Sequence, residues 1–140
     1  SFATNGSLDL GLTFSAADIN AAIDSLAAAG RTNLAEGITL ASVELASNDR
    51  NDADVPDYMV VITDGAPNEP GGVTNAKALA AAAADAARAA GTKIYVVGVG
   101  TDTDTADYLR NEIANHTGQY YDIADYTGLE AVLADIASCD

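Results

Sequence analysis

Two uninterrupted apolar runs, Tyr58-Met59-Val60-Val61-Ile62-Thr63 and Ile94-Tyr95-Val96-Val97-Gly98-Val99, constrain this chain more than any other feature. A short apolar run without polar alternation fits a strand buried on both faces. Between the two lies a helix-forming stretch from about Thr74 to Ala90, closed by Gly91 at the position where a left-handed stop is expected. A strand, a helix and a second buried strand imply a right-handed crossover and a largely parallel sheet covered on both sides.

The flanking sequence extends the pattern. Leu8 to Phe14 alternates apolar with small or polar residues and reads as a half-buried strand. Ser15 is placed to cap a helix with Ile19, Ile23 and Leu26 on one face and Gly30 as its stop. Asn33 and Glu36 have capping-box spacing ahead of Leu34, Ile38, Ala41 and Leu45, so a second helix begins right after Thr32. Ser47 to Asp57 reads as a loop. A helix over roughly Thr105 to Asn115 stops near Gly118, Gln119 to Ile123 forms a short strand, and Thr127 with Glu130 opens a last helix carrying Leu129, Leu133 and Ile136. The expected fold class is α/β, a Rossmann-like doubly wound, mostly parallel sheet flanked by helices, in one domain over residues 1–140.

Charge narrows the function. With 21 acidic residues against six Lys and Arg, the net charge of −15 repels phosphate backbones and anionic lipid heads, so neither nucleic acid nor a membrane surface is an expected partner. A hydrophobic share of 49% is too high for a disordered chain, yet no apolar run is long enough to span a bilayer. Ser1 to Leu12 carries no leader-like pattern. Cys139 is the single cysteine, an ordinary thiol in a reducing cytosol and an orphan in a secreted protein.

Ligands of such folds gather at the carboxyl ends of the strands, which directs attention to Asp64, Asp102, Asp104 and Thr32. Asp64 leaves its apolar strand straight into Gly65, placing a carboxylate at the sheet rim; the Thr32 hydroxyl, at the mouth of a helix, is within reach of the same rim. Hard cations such as Mg²⁺ and Ca²⁺ take oxygen ligands of this kind, although two ligands alone do not complete a site. Each residue also has a plainer reading, Asp64 as a turn former and Thr32 as a residue at a helix start. Other patterns carry less. Asp102-Thr103-Asp104-Thr105 resembles a phosphoryl-transfer motif but Ala106 fills its last position, and Gly98-Val99-Gly100 has Thr103 where a dinucleotide fingerprint needs glycine. The loop Asn48 to Asp54 lacks the glycine of a calcium loop and reads as solvated. His116 is the only histidine, with no Ser or Cys nucleophile beside it, so no triad and no enzyme is expected. Tyr120, Tyr121 and Tyr126 read as packing and rim residues.

Taken together, Arg31-Thr32-Asn33-Leu34-Ala35-Glu36-Gly37-Ile38, then Val60-Val61-Ile62-Thr63-Asp64-Gly65, then Ile94-Tyr95-Val96-Val97-Gly98-Val99-Gly100 resemble the von Willebrand factor A family in order, spacing and chemistry, from Phe2 to Cys139. The resemblance implies a metal-ion-dependent adhesion site in which Thr32 matches the threonine ligand and Asp64 the aspartate that acts through water. The family's Asp-x-Ser-x-Ser segment, at the end of its first central strand, does not occur in the 140 residues, and Arg31 stands where glycine is common. By that analogy Ser1-Phe2-Ala3-Thr4 is the edge of the family's second strand, so the first strand and helix are absent and the domain is N-terminally incomplete. A sheet without its middle strand exposes unpaired backbone groups at about 1–3 kcal/mol each, so a separate N-terminal fragment is expected to complete sheet and site.

The function implied by the resemblance is protein binding, with Mg²⁺, or Ca²⁺ or Mn²⁺, leaving a coordination position for a partner carboxylate. A cysteine at position 139 is implied to pair with one ahead of the first strand in secreted members, which points to an extracellular or cell-surface protein. The alternatives are an intracellular accessory subunit of a chelatase-like, ATP-driven complex and a structural module whose metal site has decayed.

Overall fold

The computed structural model describes residues 1–27, 30–47, 56–114 and 119–138. The Asn48 to Asp54 loop, His116, Gly118 and Cys139 lie outside them. The two apolar runs form strands β1 (Tyr58–Thr63) and β2 (Lys93–Val99), and a shorter β3 (Tyr120–Ile123) completes a sheet of order β1-β2-β3 in which both pairings are parallel. Tyr58 lies opposite Lys93 and Thr63 opposite Gly98, while Val96 lies opposite Tyr120.

Helices cover both faces, as a parallel sheet requires. Helices α1 (Ala16–Asp24), α2 (Leu34–Ser47) and α3 (Val73–Ala89) precede α4 (Thr103–Tyr108), which passes without a break into a π-helical segment, Leu109–Ala114; a 3₁₀ turn (Tyr126–Gly128) leads into α5 (Leu129–Ser138). On one face Met59, Val61, Ile94 and Val96 pack with Leu34 and Ile38 of α2, the alanines of α3, and Leu109 and Ile113. On the other, Tyr95, Val97 and Val99 meet Ile136 of α5, with Ile62 and Tyr121 alongside. Alternate residues of β2 therefore serve different cores, which is the reason its sequence shows no polar alternation, whereas on β1 Tyr58 and Val60 stay exposed.

Local chemistry sets the boundaries. Ser15 Oγ accepts from the Asp18 N–H at 3.3 Å and starts α1 as expected. Asn33 Oδ1 accepts from the Glu36 N–H at 3.3 Å, and Glu36 answers through its carboxylate to Asn33 Nδ2 at 2.9 Å, a variant of the capping box in which the side chains pair with each other. Gly91, at φ +97, takes the left-handed turn after α3. Gly98 lies so close to β3 that a Cβ there would sit 2.6 Å from the Tyr120 hydroxyl, which explains a glycine inside an otherwise bulky strand.

The structure departs from the sequence reading in three places. Leu8 to Phe14 is not a strand: it joins no sheet among the described residues, and Leu8, Leu10, Leu12 and Phe14 remain 38–87% exposed. Alternation supplies a side-chain pattern, but a strand exists only where a neighbour takes its backbone bonds. Ser1 to Thr4 likewise joins no sheet among the described residues, and Phe2 forms an isolated antiparallel bridge with Gly6. The first helix ends at Asp24, short of Gly30, although Gly30 does adopt φ +83. Finally, the helix expected over 105–115 is α-helical only to Tyr108. Beyond it lies the π-helical segment, where the Arg88 guanidinium donates to the carbonyls of Ile113 and, at 3.3 Å, Glu112, while pairing with Asp85 at 2.5 Å. That long-range clamp from α3 could not be read from local spacing.

Candidate metal rim

The carboxyl ends of the three strands form one rim, and each strand is left through a hydroxyl or carboxylate. After β2, Asp102 caps α4 by accepting from the Thr105 N–H at 2.8 Å; that bond, with the Thr105 hydroxyl, holds its carboxyl below the usual aspartate range. After β3, Asp125 accepts from the Thr127 hydroxyl and from its N–H at 2.9 Å, with the same effect on its acidity. Each of these carboxylates gives its Oδ1 to a local cap.

Asp64 is different. The Thr63 hydroxyl, buried with its residue, donates to the Gly65 carbonyl at 3.1 Å and fixes the turn around Asp64. Asp64 itself is exposed, and among the described residues its carboxylate takes part in no hydrogen bond or ion pair. The Thr32 hydroxyl is half-buried and equally uncommitted. The loop that follows Asp64 reaches Thr32. Pro67 is fully buried, and directly after it Asn68 meets Thr32: Asn68 Oδ1 accepts from the Thr32 N–H at 2.8 Å, and the N–H groups of Asn68 and Glu69 donate to the Thr32 carbonyl at 3.0 and 3.3 Å.

The other side of Thr32 is tied to the amino-terminal segment. Asn33 N–H donates to the Ala3 carbonyl at 2.7 Å and Arg31 N–H to the Thr4 hydroxyl at 3.3 Å. Gly37, one turn into α2, makes room for this strap: a Cβ there would meet the Phe2 ring at 2.7 Å. Arg31 pairs with Glu69 at 2.7 Å; with the guanidinium largely exposed, such a pair contributes about 0–1 kcal/mol and serves as a rim cation more than a brace.

Thr32 is thus tied to the loop that leaves Asp64, and among the described residues neither the Thr32 hydroxyl nor the Asp64 carboxylate makes a hydrogen bond, whereas Asp102, which the sequence placed beside them, gives its Oδ1 to a cap. A hydroxyl and a carboxylate are donors of the right chemistry for a hard cation. Their number falls short of the roughly six oxygens of Mg²⁺ coordination, and among the described residues no group of three or more His, Cys, Asp or Glu converges. The oxygen set fits a partly built site completed by water and by other ligands. Asn68 and Glu69 were not singled out in the sequence, where they read only as part of a Pro and Gly loop. The one signal was an amide side chain four residues after Asp64.

A family model for the von Willebrand factor type A domain matches residues 3–135. The chain belongs to the von Willebrand factor type A family. No curated protein matches it. Among solved structures, the open conformation of the pilus adhesin SpaC from Lactobacillus rhamnosus GG superposes with TM-score 0.73 at 16% identity, over 88% of this chain and 21% of that one. Proximal thread matrix protein 1 from the mussel byssus superposes with TM-score 0.76 at 16% identity, over 96% of this chain and 34% of that one. A structure of the same byssus protein with a zinc-occupied MIDAS motif gives TM-score 0.70 at 23% identity, over 96% and 32%. The von Willebrand factor A chain therefore spans about a fifth to a third of these neighbours, and the likeness establishes its doubly wound fold.

Proposed function

We propose that this von Willebrand factor A domain is a non-enzymatic protein-binding module, extracellular or at a cell surface, that holds a divalent cation at Thr32 and Asp64 and uses it to capture a carboxylate of a partner. The reading is carried by one observation: among the described residues the Thr32 hydroxyl and the Asp64 carboxylate make no hydrogen bond, while Asp102 and Asp125 each give an oxygen to a cap. When bound, the cation supplies a positive centre with an open position. Thr32 and Asp64 orient it, directly or through water, and Mg²⁺, Mn²⁺ and Ca²⁺ all suit oxygen donors. A cation also answers an electrostatic difficulty, since a chain of net charge −15 otherwise repels an acidic partner. The zinc-occupied MIDAS of the byssus protein and the adhesin among the neighbours support the reading.

Titration of the chain with Mn²⁺ and with Mg²⁺ by calorimetry, beside a melting curve at each concentration, tests it. The expected result is saturable heat and a rising melting midpoint, because a ligand bound by the folded state alone stabilises it. A flat titration in both metals favours the decayed, purely structural module.

A second binding partner belongs to the same proposal, an extended apolar segment added to β1. The outer edge of β1 pairs with no strand among the described residues, and Tyr58 and Val60 are about 40% exposed on it. Beside that edge runs a groove of about 380 Å³ lined by Phe2, Leu8, Ile23, Leu26, Leu34 and Val60. Unpaired strand edges flanked by apolar walls accept a further strand, and the net charge of −15 disfavours a second copy as its source. A short peptide of alternating Val and Thr should slow amide exchange at residues 58–63; unchanged exchange at saturating peptide would dismiss the segment as a partner.

A further inference from the structure

We propose that Asn68 is the positioning residue of the rim, setting the direction in which Thr32 presents its hydroxyl to the cation. The inference rests on the cation reading above and extends it to a residue that donates nothing to the metal. Asn68 meets Thr32 twice, through its side-chain oxygen on the Thr32 N–H at 2.8 Å and through its own N–H on the Thr32 carbonyl at 3.0 Å. Those two bonds hold the peptide planes on either side of the Thr32 Cα. With both planes held, the Cα–Cβ bond has a fixed direction and only one side-chain torsion remains. In a β-branched residue that torsion has few accessible positions.

Asn68 is itself held from two sides. Pro67 before it is buried completely, and Glu69 after it adds a third bond to the Thr32 carbonyl at 3.3 Å while its carboxylate pairs with Arg31 at 2.7 Å. The loop begins at the turn that the Thr63 hydroxyl fixes around Asp64. Asn68 thereby couples the end of β1, which carries Asp64, to the start of α2, which carries Thr32. Without it the direct links left between the two elements at this point are the longer Glu69 bond to the Thr32 carbonyl and the exposed Arg31–Glu69 pair.

The test compares Asn68→Leu, of similar size but without an acceptor, with Asn68→Asp, which keeps an oxygen in place, each in the wild-type and in the Thr32→Ala background. Mn²⁺ is the probe, titrated by calorimetry, with metal-free melting curves recorded for every variant. Asn68→Leu should weaken Mn²⁺ binding about tenfold, the lower end of what the partners of metal ligands contribute, and Asn68→Asp should bind at least as well as wild type. In the Thr32→Ala background Asn68→Leu should change the affinity by less than about twofold, because the group it positions is gone. A role confined to folding lowers the metal-free melting midpoint and the affinity alike in both backgrounds. Equal losses in both backgrounds, or wild-type affinity in Asn68→Leu, would overturn the assignment. If Asn68→Leu does not fold, Asn68→Ala carries the same comparison. Failure of the underlying reading is recognised separately, since the wild-type chain itself would then bind no Mn²⁺ and the assignment would fall with it.

Discussion

Replacing Thr32 and Asp64 together by alanine should remove Mn²⁺ binding, a fall of more than about 100-fold, given that groups acting on a metal through an intermediary are already worth about 10 to 100-fold each. The same double variant should fold as well as wild type. Asp64 is exposed, and neither side chain makes a hydrogen bond among the described residues, so the change in stability is expected within about 0.5 kcal/mol. Loss of affinity without loss of stability separates a ligand role from a structural one. Calorimetric titration beside a denaturant melt measures both, and a double variant that still binds Mn²⁺ with wild-type affinity places the ion elsewhere on the protein.

The second large effect concerns the support beneath that rim. Leu34→Ala is expected to destabilise the domain by about 2–5 kcal/mol, the range for truncating a buried leucine. Leu34 is completely buried, follows Asn33 at the first turn of α2, and packs in one cluster with Ile38, Met59 and Val61. It also borders the groove beside β1, where water can enter part of the space left behind, which argues for the lower half of the range. The midpoint of urea unfolding at constant slope gives the number. Val43, on the same helix but 60% exposed, should tolerate alanine within about 0.5 kcal/mol; comparable losses at the two positions would mean that α2 is not packed as described.

Much of this architecture was legible before any coordinates. Tyr58–Thr63 and Lys93–Val99 were both readable as strands from their apolar runs, but only the second is buried on both faces; on the first Tyr58 and Val60 remain exposed. The start of α2 was readable because Asn33 and Glu36 carry their capping chemistry in adjacent side chains. Asp64 stood out for a similarly local reason, an acidic residue placed between an apolar strand and a glycine. What escaped was everything decided at long range. Leu8 to Phe14 has a strand's alternation but joins no sheet among the described residues. Asp102 looked like Asp64 in sequence, yet the Thr105 amide three residues on captures its carboxylate. Asn68 looked like any loop residue because its counterpart, Thr32, lies 36 positions earlier. The Glu112 and Ile113 carbonyls of the π-helical segment are bonded by Arg88, on another helix altogether.

The stretch from Ala76 to Ala90 has so little variety that it resembles filler. Its buried members, Ala76, Ala80, Ala84 and Ala87, fall on a single side of α3, and three of them belong to the main core beside Ile94 and Val96. A side chain of one carbon lets the axis of a helix settle nearer to its neighbours than leucine would, so contact there comes from main-chain atoms. Monotony at these four sites is therefore a measure of tightness: the seam has room for a methyl group and little more, and a mutational scan should find it among the least forgiving to enlargement in the domain.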